Sequence, residues 1–260
     1  IPTVKGDADL QLADIVGLGY QGITINVGNG ERWKTPLGQD ARVRKALELA
    51  IDRNALNQVV FDGAHLPGNQ FVSPQSQFYT KSVPMPERDV AKAKALLKEA
   101  GLDGFSFEMQ FPNNPDGTRV AQVIQAMAAE AGIDIKLRAT EFATMLKEQT
   151  AGNYQATQVG WSGRVDPDGN IHTFMTCKGG INDSKYCNAD VDAALNDARL
   201  TNDPAKRKKL YAAAMEQLDR DRPIIYLWHP KWIWALRADL EGYVPYPDGM
   251  IRLTGMRKAS

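Results

Sequence analysis

This sequence has few histidines and cysteines, and it has no excess of either charge. Its 260 residues include 3 histidines and 2 cysteines, and 31 Lys and Arg residues are balanced by 31 Asp and Glu residues. A formal net charge of zero excludes a general electrostatic attraction to nucleic acid or to an anionic membrane, so we expect no nucleic-acid partner. The composition is globular, with 43% hydrophobic and 24% charged residues, which excludes a disordered tail or a coiled coil.

Long apolar runs and an ordinary start are also missing. The most apolar stretch, Ile224 to Ala238, is interrupted by His229, Pro230 and Lys231. It is shorter than the ~20 apolar residues that a membrane span requires. The sequence begins at Ile1 without an initiator methionine or the basic and apolar segments of a signal peptide, which we interpret as a processed or truncated chain.

Motifs for catalysis and metal binding are scarce too. The sequence has no GxSxG, HExxH or Walker loop, so we expect no cofactor and no metal. Asp166 and Asp168 flank Pro167 closely enough to act as a general acid and base. A DPDG sequence is first of all typical of a turn, because proline fixes φ, aspartate accepts backbone N–H groups and glycine takes positive φ. We favour the turn and expect no catalytic residue. A hydrolase of small esters, glycosides or peptides that uses Asp166 and Asp168 is the alternative function.

The two cysteines, Cys177 and Cys187, are separated by ten positions in a segment rich in Gly, Asn, Asp and Ser. This spacing favours a disulfide that closes a short loop, and with it an oxidising compartment. The alternatives are two free thiols or half of a metal site. His172 is the only imidazole nearby, and there is no CxxC spacing.

Strands and helices alternate through much of the sequence. Hydrophobic periodicity and turn signals predict strands over residues 20–27, 105–111, 133–140 and 154–161. They predict helices over residues 40–52, 88–100, 118–131, 141–151, 189–200 and 204–220. This alternation indicates βαβ units and hence a sheet covered by helices.

One predicted strand ends in a segment with binding chemistry, Gln158–Asn170 (QVGWSGRVDPDGN). Ligands of α/β proteins dock at such strand ends. Trp161 offers a flat apolar wall, Gly163 lets a ligand approach the backbone, and Arg164 offers a fork for a carboxylate. The alternative places Trp161 in the core and pairs Arg164 with Asp166 at the surface, and the residues alone leave both open.

Several segments occur in a characteristic order. They are DARVRKALELAIDRNAL followed by DVAKAKALLKEAG, the tryptophan motif of residues 160–170, the loop between the cysteines, and PIIYLWHPKWIWA. Together they resemble the C-terminal half of the family 5 extracellular solute-binding proteins, the peptide, nickel and opine binders of ABC importers. The resemblance covers nearly the whole chain. It implies an α/β fold of the periplasmic binding protein-like class (type II, cluster C), with hinge strands and remnants of a first lobe.

The resemblance also implies a domain organisation, that of a two-lobed binder that closes a cleft on its ligand. Residues 1–39 would be a first-lobe remnant and hinge, residues 40–222 the second α/β lobe, and residues 223–260 the hinge return and a first-lobe remnant. With the N-terminal lobe missing, we expect the strands within 20–27 and 224–236 to lose neighbours and expose sheet edges or apolar faces. This expectation motivates self-association of the fragment.

Ligand contacts of the family can be carried over to matching positions. In the dipeptide-binding branch the strand-end tryptophan is followed, three positions later, by an aspartate that holds the ligand's ammonium, and this sequence has Arg164 there. The loop that binds carboxylates in peptide binders reads FPNNPDG here, with asparagines and no arginine. Both departures imply an acidic or polar ligand, because a cationic group beside Arg164 would be repelled. The candidate ligand-binding residues are Trp161, Ser162, Gly163, Arg164, Asp166, Asn113 and Asn114.

The function implied is that of the substrate-binding component of an ABC importer. It would capture a small polar or acidic solute, peptide-like or opine-like, without covalent chemistry. Its partners would be a small-molecule or peptide ligand, an ABC permease in the inner membrane and the missing N-terminal lobe. Its location would be the periplasm, where a disulfide persists.

Overall fold

The fold is mixed α/β, as the sequence predicts, and is seen in a computed structural model that describes residues 2–259. The helices in this part of the chain are α1 (Pro2–Lys5), α2 (Pro36–Gln39), α3 (Ala41–Ala50), α4 (Arg53–Phe61), α5 (Val90–Glu99), α6 (Pro115–Ala129), α7 (Phe142–Thr150), α8 (Asp168–Met175), α9 (Ala189–Arg199) and α10 (Pro204–Asp221). The strands are β1 (Leu10–Val16), β2 (Tyr20–Ile25), β3 (Leu66–Pro67), β4 (Phe105–Pro112), β5 (Ile133–Thr140), β6 (Ala156–Trp161), β7 (Ile224–His229), β8 (Lys231–Arg237), β9 (Leu240–Glu241) and β10 (Arg257–Lys258). Within the described residues, none of the helices has the length and apolar character needed to cross a membrane.

The central sheet has six strands in the order β3-β7-β2-β6-β4-β5. β4 runs parallel to β5 and β6, whereas β2 runs antiparallel to β6 and β7. The strands β4, β5, β6 and β7 therefore share one direction, and their carboxyl ends meet at one edge of the sheet. β2 begins at that edge, since Tyr20 lies opposite Trp161.

Alternation along β2 builds a core on each face of the sheet. Ile23 and Ile25 are fully buried in a cluster with side chains of α3, α4, α5 and α6. Tyr20 belongs to a second cluster, with side chains of α8, α9 and α10. The sheet is thus a middle layer between two layers of helices.

Polar caps begin the helices where the sequence predicts them. The Asp40 carboxylate accepts the N–H of Arg42 and begins α3, and Asp203 accepts the N–H groups of Ala205 and Lys206 to begin α10. The helix predicted through residue 52 ends at Ala50, because Ile51 is extended and Asp52 caps a separate helix, α4.

The DPDG sequence was predicted as a simple turn, but in the structure the turn leads directly into a helix. Gly169 N–H does donate to the Asp166 carbonyl over 3.1 Å, as in a turn. The chain then continues as a helix, α8, which begins at Asp168 and includes Gly169. Gly169 is not among the described glycines with positive φ, so that part of the prediction is wrong. The helix continues because Ile171 and Met175 are buried in the second cluster.

Two strands were expected to expose sheet edges or apolar faces. β2 lies between β6 and β7, so the expectation is wrong for Tyr20–Ile25. β7 pairs with β2 on one side and, at Trp228 and His229 only, with the two-residue strand β3 on the other. All of its side chains are buried, so it exposes no apolar face. After Pro230 the chain leaves the sheet, and β8 pairs instead with β1 in a two-stranded ribbon.

Candidate functional site

The carboxyl-terminal edge of the sheet carries two adjoining cavities. Pro112 ends β4, Phe142 begins the helix after β5, and Trp161 ends β6. Pro230 follows β7 at the same edge. The shared strand direction therefore brings together loops that are far apart in the sequence, which is where ligands bind in open α/β sheets.

The first cavity, the α7–α8 cavity, has a volume of about 390 Å³. Its walls are mostly apolar or aromatic, with Phe142, Leu146, Trp161, Phe174 and Ile181 among the lining side chains. Phe142, Leu146 and Ile181 are 53%, 37% and 40% exposed, which is unusual for large apolar side chains at one spot. The cavity is thus suited to an apolar group of a ligand.

The second cavity, the β6–β8 cavity, also measures about 390 Å³ and shares Phe142, Trp161 and Ser162 with the first. It adds Asn114 from the loop after β4 and Trp232 from β8. The two cavities therefore adjoin along the Trp161–Ser162 segment, and together they are called the groove.

A buried asparagine fixes the geometry of this segment. Asn170 Oδ1 accepts hydrogen bonds from Trp161 Nε1 over 3.1 Å and from the Arg164 backbone N–H over 2.7 Å, and Asn170 Nδ2 donates to the Arg164 carbonyl over 3.0 Å. Gly163 has φ of +89°, and a Cβ there would lie 2.2 Å from the Leu18 carbonyl carbon, so only glycine fits.

Arg164 does not form the surface ion pair with Asp166 that one alternative predicted, since Asp166 pairs with Arg207. The binding of a carboxylate by Arg164 stays a prediction. Its Cζ lies 4.2 Å from the centroid of the Trp161 ring, a cation–π contact, and its side chain is exposed. Within residues 2–259 no carboxylate forms an ion pair with it at 4.0 Å or less. Trp161 itself is only partly buried and lines both cavities. Arg164 lines neither cavity, but its guanidinium contacts the Trp161 ring, which lines both. With no anionic partner in the described chain, this guanidinium can accept an anion.

The two carboxylates that the alternative hydrolase would use form ion pairs with arginines. Asp166 pairs with Arg207 over 2.6 Å, and Asp168 accepts two hydrogen bonds of 2.7 Å from Arg199. The Arg207 hydrogen bond holds the pKa of Asp166 below its usual value, which is the wrong direction for a general acid. Asp166 and Asp168 line neither cavity.

The other candidate residues are spread around the groove. Ser162 and Asn114 line it, whereas Gly163 lies beside it and Asn113 is exposed outside the lining. The Asn114 side chain accepts the N–H of Gly117 over 2.8 Å and so caps α6. Asn113 binds through its backbone, with its N–H donating to the Thr140 carbonyl over 2.9 Å.

Gln149 and Asp183 are among the polar residues of the α7–α8 cavity that were not predicted. Gln149 Nε2 donates to Asp183 Oδ2 over 3.1 Å. Burial raises the pKa of Asp183, against smaller opposite effects from Gln149 and Lys185. No sequence motif distinguishes Asp183 from other aspartates. The sequence offers one indication of this cavity. Phe142 and Leu146 form an apolar i, i+4 pair on an otherwise polar face of the predicted helix.

The loop that carries Asp183 is closed by a disulfide. Cys177 and Cys187 are bonded, which confirms the predicted pairing. The loop also contributes Ile181 and Ser184 to the cavity. No group of three or more His, Cys, Asp or Glu side chains in the described chain has a metal-binding arrangement.

Residues 17–22 have the spacing Gly-x-Gly-x-x-Gly. In dinucleotide-binding proteins this spacing opens a helix, whose N-terminus receives the pyrophosphate. Here Gly22 lies within strand β2, between β6 and β7. The spacing therefore does not form a dinucleotide site.

Comparison with known proteins points in one direction. The profile of the bacterial extracellular solute-binding proteins, family 5 (middle part), matches residues 1–182. The dipeptide-binding protein of Escherichia coli (strain K12) is 33% identical over 259 residues, which cover 96% of this chain and 47% of that protein. The chain thus spans about half the length of the curated relatives it matches.

Solved structures agree with this comparison. HbpA2 from Haemophilus parasuis superposes with a TM-score of 0.87 and 29% identity, covering 100% of this chain and 52% of that one. A dipeptide-binding protein from Pseudoalteromonas sp. SM9913, solved in complex with Met-Leu, superposes with a TM-score of 0.83 and 25% identity, covering 99% of this chain and 52% of that one.

Proposed function

The chain belongs to family 5 of the bacterial extracellular solute-binding proteins, and on this premise we propose that it forms the solute-binding lobe of an ABC importer component. The cargo we propose is a peptide-sized polar solute with at least one carboxylate. Members of this family bind solutes rather than transform them, and the ion pairs of Asp166 and Asp168 offer no support to the hydrolase alternative.

One observation carries the proposal, the groove around Trp161. It combines two cavities of about 390 Å³ each with exposed apolar side chains. Beside it, on the Trp161 ring, lies a guanidinium without an anionic partner in the described chain. A mostly apolar groove with few convergent polar groups is typical of small-molecule sites. The Arg164 guanidinium would take a carboxylate of the cargo through two parallel hydrogen bonds.

Capture would depend on two lobes closing around the cargo. We propose that residues 40–222 form most of one lobe and that residues 1–39 and 223–260 lead to the other, while they contribute β2 and β7 to the sheet. Closure would exclude water and thereby strengthen the contact between Arg164 and an anionic group.

The partners we propose are a second lobe, an ABC permease in the inner membrane and, for this chain by itself, another copy. Exposed apolar side chains near the end of the chain support a covering partner there; they include Val244, Met250, Ile251 and Leu253. The disulfide between Cys177 and Cys187 supports a periplasmic location, because such bonds persist in oxidising compartments.

The first prediction concerns Arg164. The full-length gene product is purified under native conditions and denatured, and the small molecules it releases are quantified by mass spectrometry. We expect a carboxylate-bearing cargo in the wild type and at least about tenfold less of it in Arg164→Asp, because the substitution places like charges side by side.

Lys209→Asp provides a matched control, since it reverses a charge on an exposed position of α10. It should retain the same cargo as the wild type. Recovery of no cargo from the wild type would contradict the proposed function. Equal retention by Arg164→Asp would show that Arg164 does not hold the cargo.

A further inference from the structure

The α7–α8 cavity contains a carboxylate without an ion-pair partner and a buried amide oxygen without a hydrogen-bond donor in the described chain. Asp183 lines this cavity, and no Lys, Arg or His side chain of residues 2–259 forms an ion pair with it within 4.0 Å. Gln149 lines the same cavity, is 7% exposed, and has a buried Oε1 without any hydrogen-bond partner in the described chain. A buried acceptor of this kind costs free energy until it receives a donor.

Hydrogen bonds fix both the backbone and the side chain of Asp183. Its backbone carbonyl accepts hydrogen bonds from Tyr154 Oη and from Asn29 Nδ2, both over 3.0 Å. Its carboxylate Oδ2 accepts one from Gln149 Nε2 over 3.1 Å, and the Thr150 side chain also hydrogen-bonds the carboxylate. The disulfide between Cys177 and Cys187 closes the loop around it. A group this well positioned can recognise a ligand with little loss of conformational entropy.

The residues that line the α7–α8 cavity favour a positively charged group of the ligand. A carboxylate and an amide oxygen accept hydrogen bonds, so the complementary group is rich in donors and positively charged. An alkylammonium has three N–H donors and no acceptor. The Tyr20, Trp161 and Phe174 rings line the same cavity, and aromatic faces attract cations. A carboxylate of the ligand would be repelled at this position.

Building on the proposed function, we propose that Asp183 and Gln149 form a subsite for a primary ammonium group of the cargo, with the alkyl or aryl group beside it on Phe142 and Leu146. Arg164 does not line this cavity, so the two charged residues recognise different parts of one molecule. The cargo class is therefore a zwitterion, with its cation at Asp183 and its carboxylate at Arg164.

The test compares one peptide with and without its positive charge. The full-length protein is titrated by calorimetry with Met-Leu, the peptide bound in one of the solved relatives, and with N-acetyl-Met-Leu. We expect the wild type to bind Met-Leu at least tenfold more tightly. Asp183→Asn should bind Met-Leu at least tenfold more weakly than the wild type and show no preference between the two peptides.

Asp183→Asn has nearly the same shape and still accepts the hydrogen bond from Gln149, so it should fold; a thermal melt verifies this. Asp197→Asn, which removes a charge from an exposed position of α9, should behave as the wild type. A preference for the free amine that survives in Asp183→Asn overturns the inference, as does equal binding of both peptides by the wild type. If the wild type binds neither peptide, the inference is overturned, whereas the proposed function is contradicted only if no cargo is recovered from the wild type by mass spectrometry.

Discussion

Asn170 is the residue on which the orientation of the tryptophan and the arginine in the groove depends. It is 2% exposed, and its amide makes three hydrogen bonds to Trp161 and Arg164. These bonds hold the indole ring and the backbone that carries the guanidinium in one fixed arrangement. Preorganisation of this kind reduces the entropic cost of binding a ligand.

We predict that Asn170→Ala weakens cargo binding about tenfold and lowers the free energy of unfolding by about 1–3 kcal/mol, since the partly buried Trp161 Nε1 and the Arg164 backbone N–H and carbonyl lose their partner. Calorimetric titration and urea denaturation measure the two effects. Asn196→Ala is a suitable control, because the Asn196 side chain bonds to His172 near the surface. A variant that loses stability but binds as well as the wild type would show that Asn170 has a structural role only.

Sequence reasoning identifies only part of this site. Trp161, Ser162 and Asn114 were predicted as ligand-binding residues and do line the groove, although their contact with a ligand stays a prediction. Their signal is local, because Trp161 ends a predicted strand and the other two come shortly after one. Asp166 could not be assigned in this way, because its partner Arg207 is 41 residues away. Asp183 was missed since its environment comes from a helix 34 residues before it.

At the level of elements, the sequence predicts the middle of the chain well. The helices and strands between Val90 and Thr150 lie close to their predicted positions, because each has regular periodicity and a polar cap or glycine at its end. The sequence does not show that β2 lies between β6 and β7. That order depends on pairing between residues more than 130 positions apart, which local periodicity does not encode.

A buried charge cluster joins several of these elements. Glu48 on α3 binds Arg53 over 2.8 Å and Arg222, just after α10, over 2.7 Å, and Lys45 adds a third contact of 3.0 Å. Arg53 Nε also donates to the Tyr226 carbonyl of β7 over 2.8 Å. Burial opposes ionisation of Glu48, but the three cations outweigh it and lower its pKa to about 2.

We predict that Glu48→Gln lowers the free energy of unfolding at pH 7 by about 3–5 kcal/mol, because the buried Arg53 guanidinium loses its counter-charge and Arg222 keeps only its ion pair with Asp219. In the wild type, the stabilisation from ionised Glu48 is present above its ordinary pKa of 4.5 and is lost as the pH falls towards about 2. The variant should lack this part of the acid dependence.

Urea denaturation at pH 7 and at pH 3 measures both effects, with Glu99→Gln on the exposed face of α5 as the control. Equal stability of Glu48→Gln and the wild type at pH 7 would contradict the proposed coupling between α3, α4 and β7.

At the scale of the whole molecule, the sheet and its two helical layers hold a groove at one edge. The layers are closely packed, with Ile23 and Ile25 fully buried on one side of the sheet and Tyr211 on the other. By contrast, Phe142 and Ile181 remain exposed at the groove. This contrast between a closed core and an open apolar groove is what we expect of a lobe that meets cargo and a second lobe.

The most direct test of this account is a crystal structure of the full-length protein that retains its natural cargo. We predict electron density for a zwitterionic molecule in the groove, in contact with Trp161 and Ser162, with its carboxylate at Arg164 and its ammonium at Asp183. Cargo bound away from Trp161, with only water in the α7–α8 cavity, would contradict the central claim that this groove is the solute site.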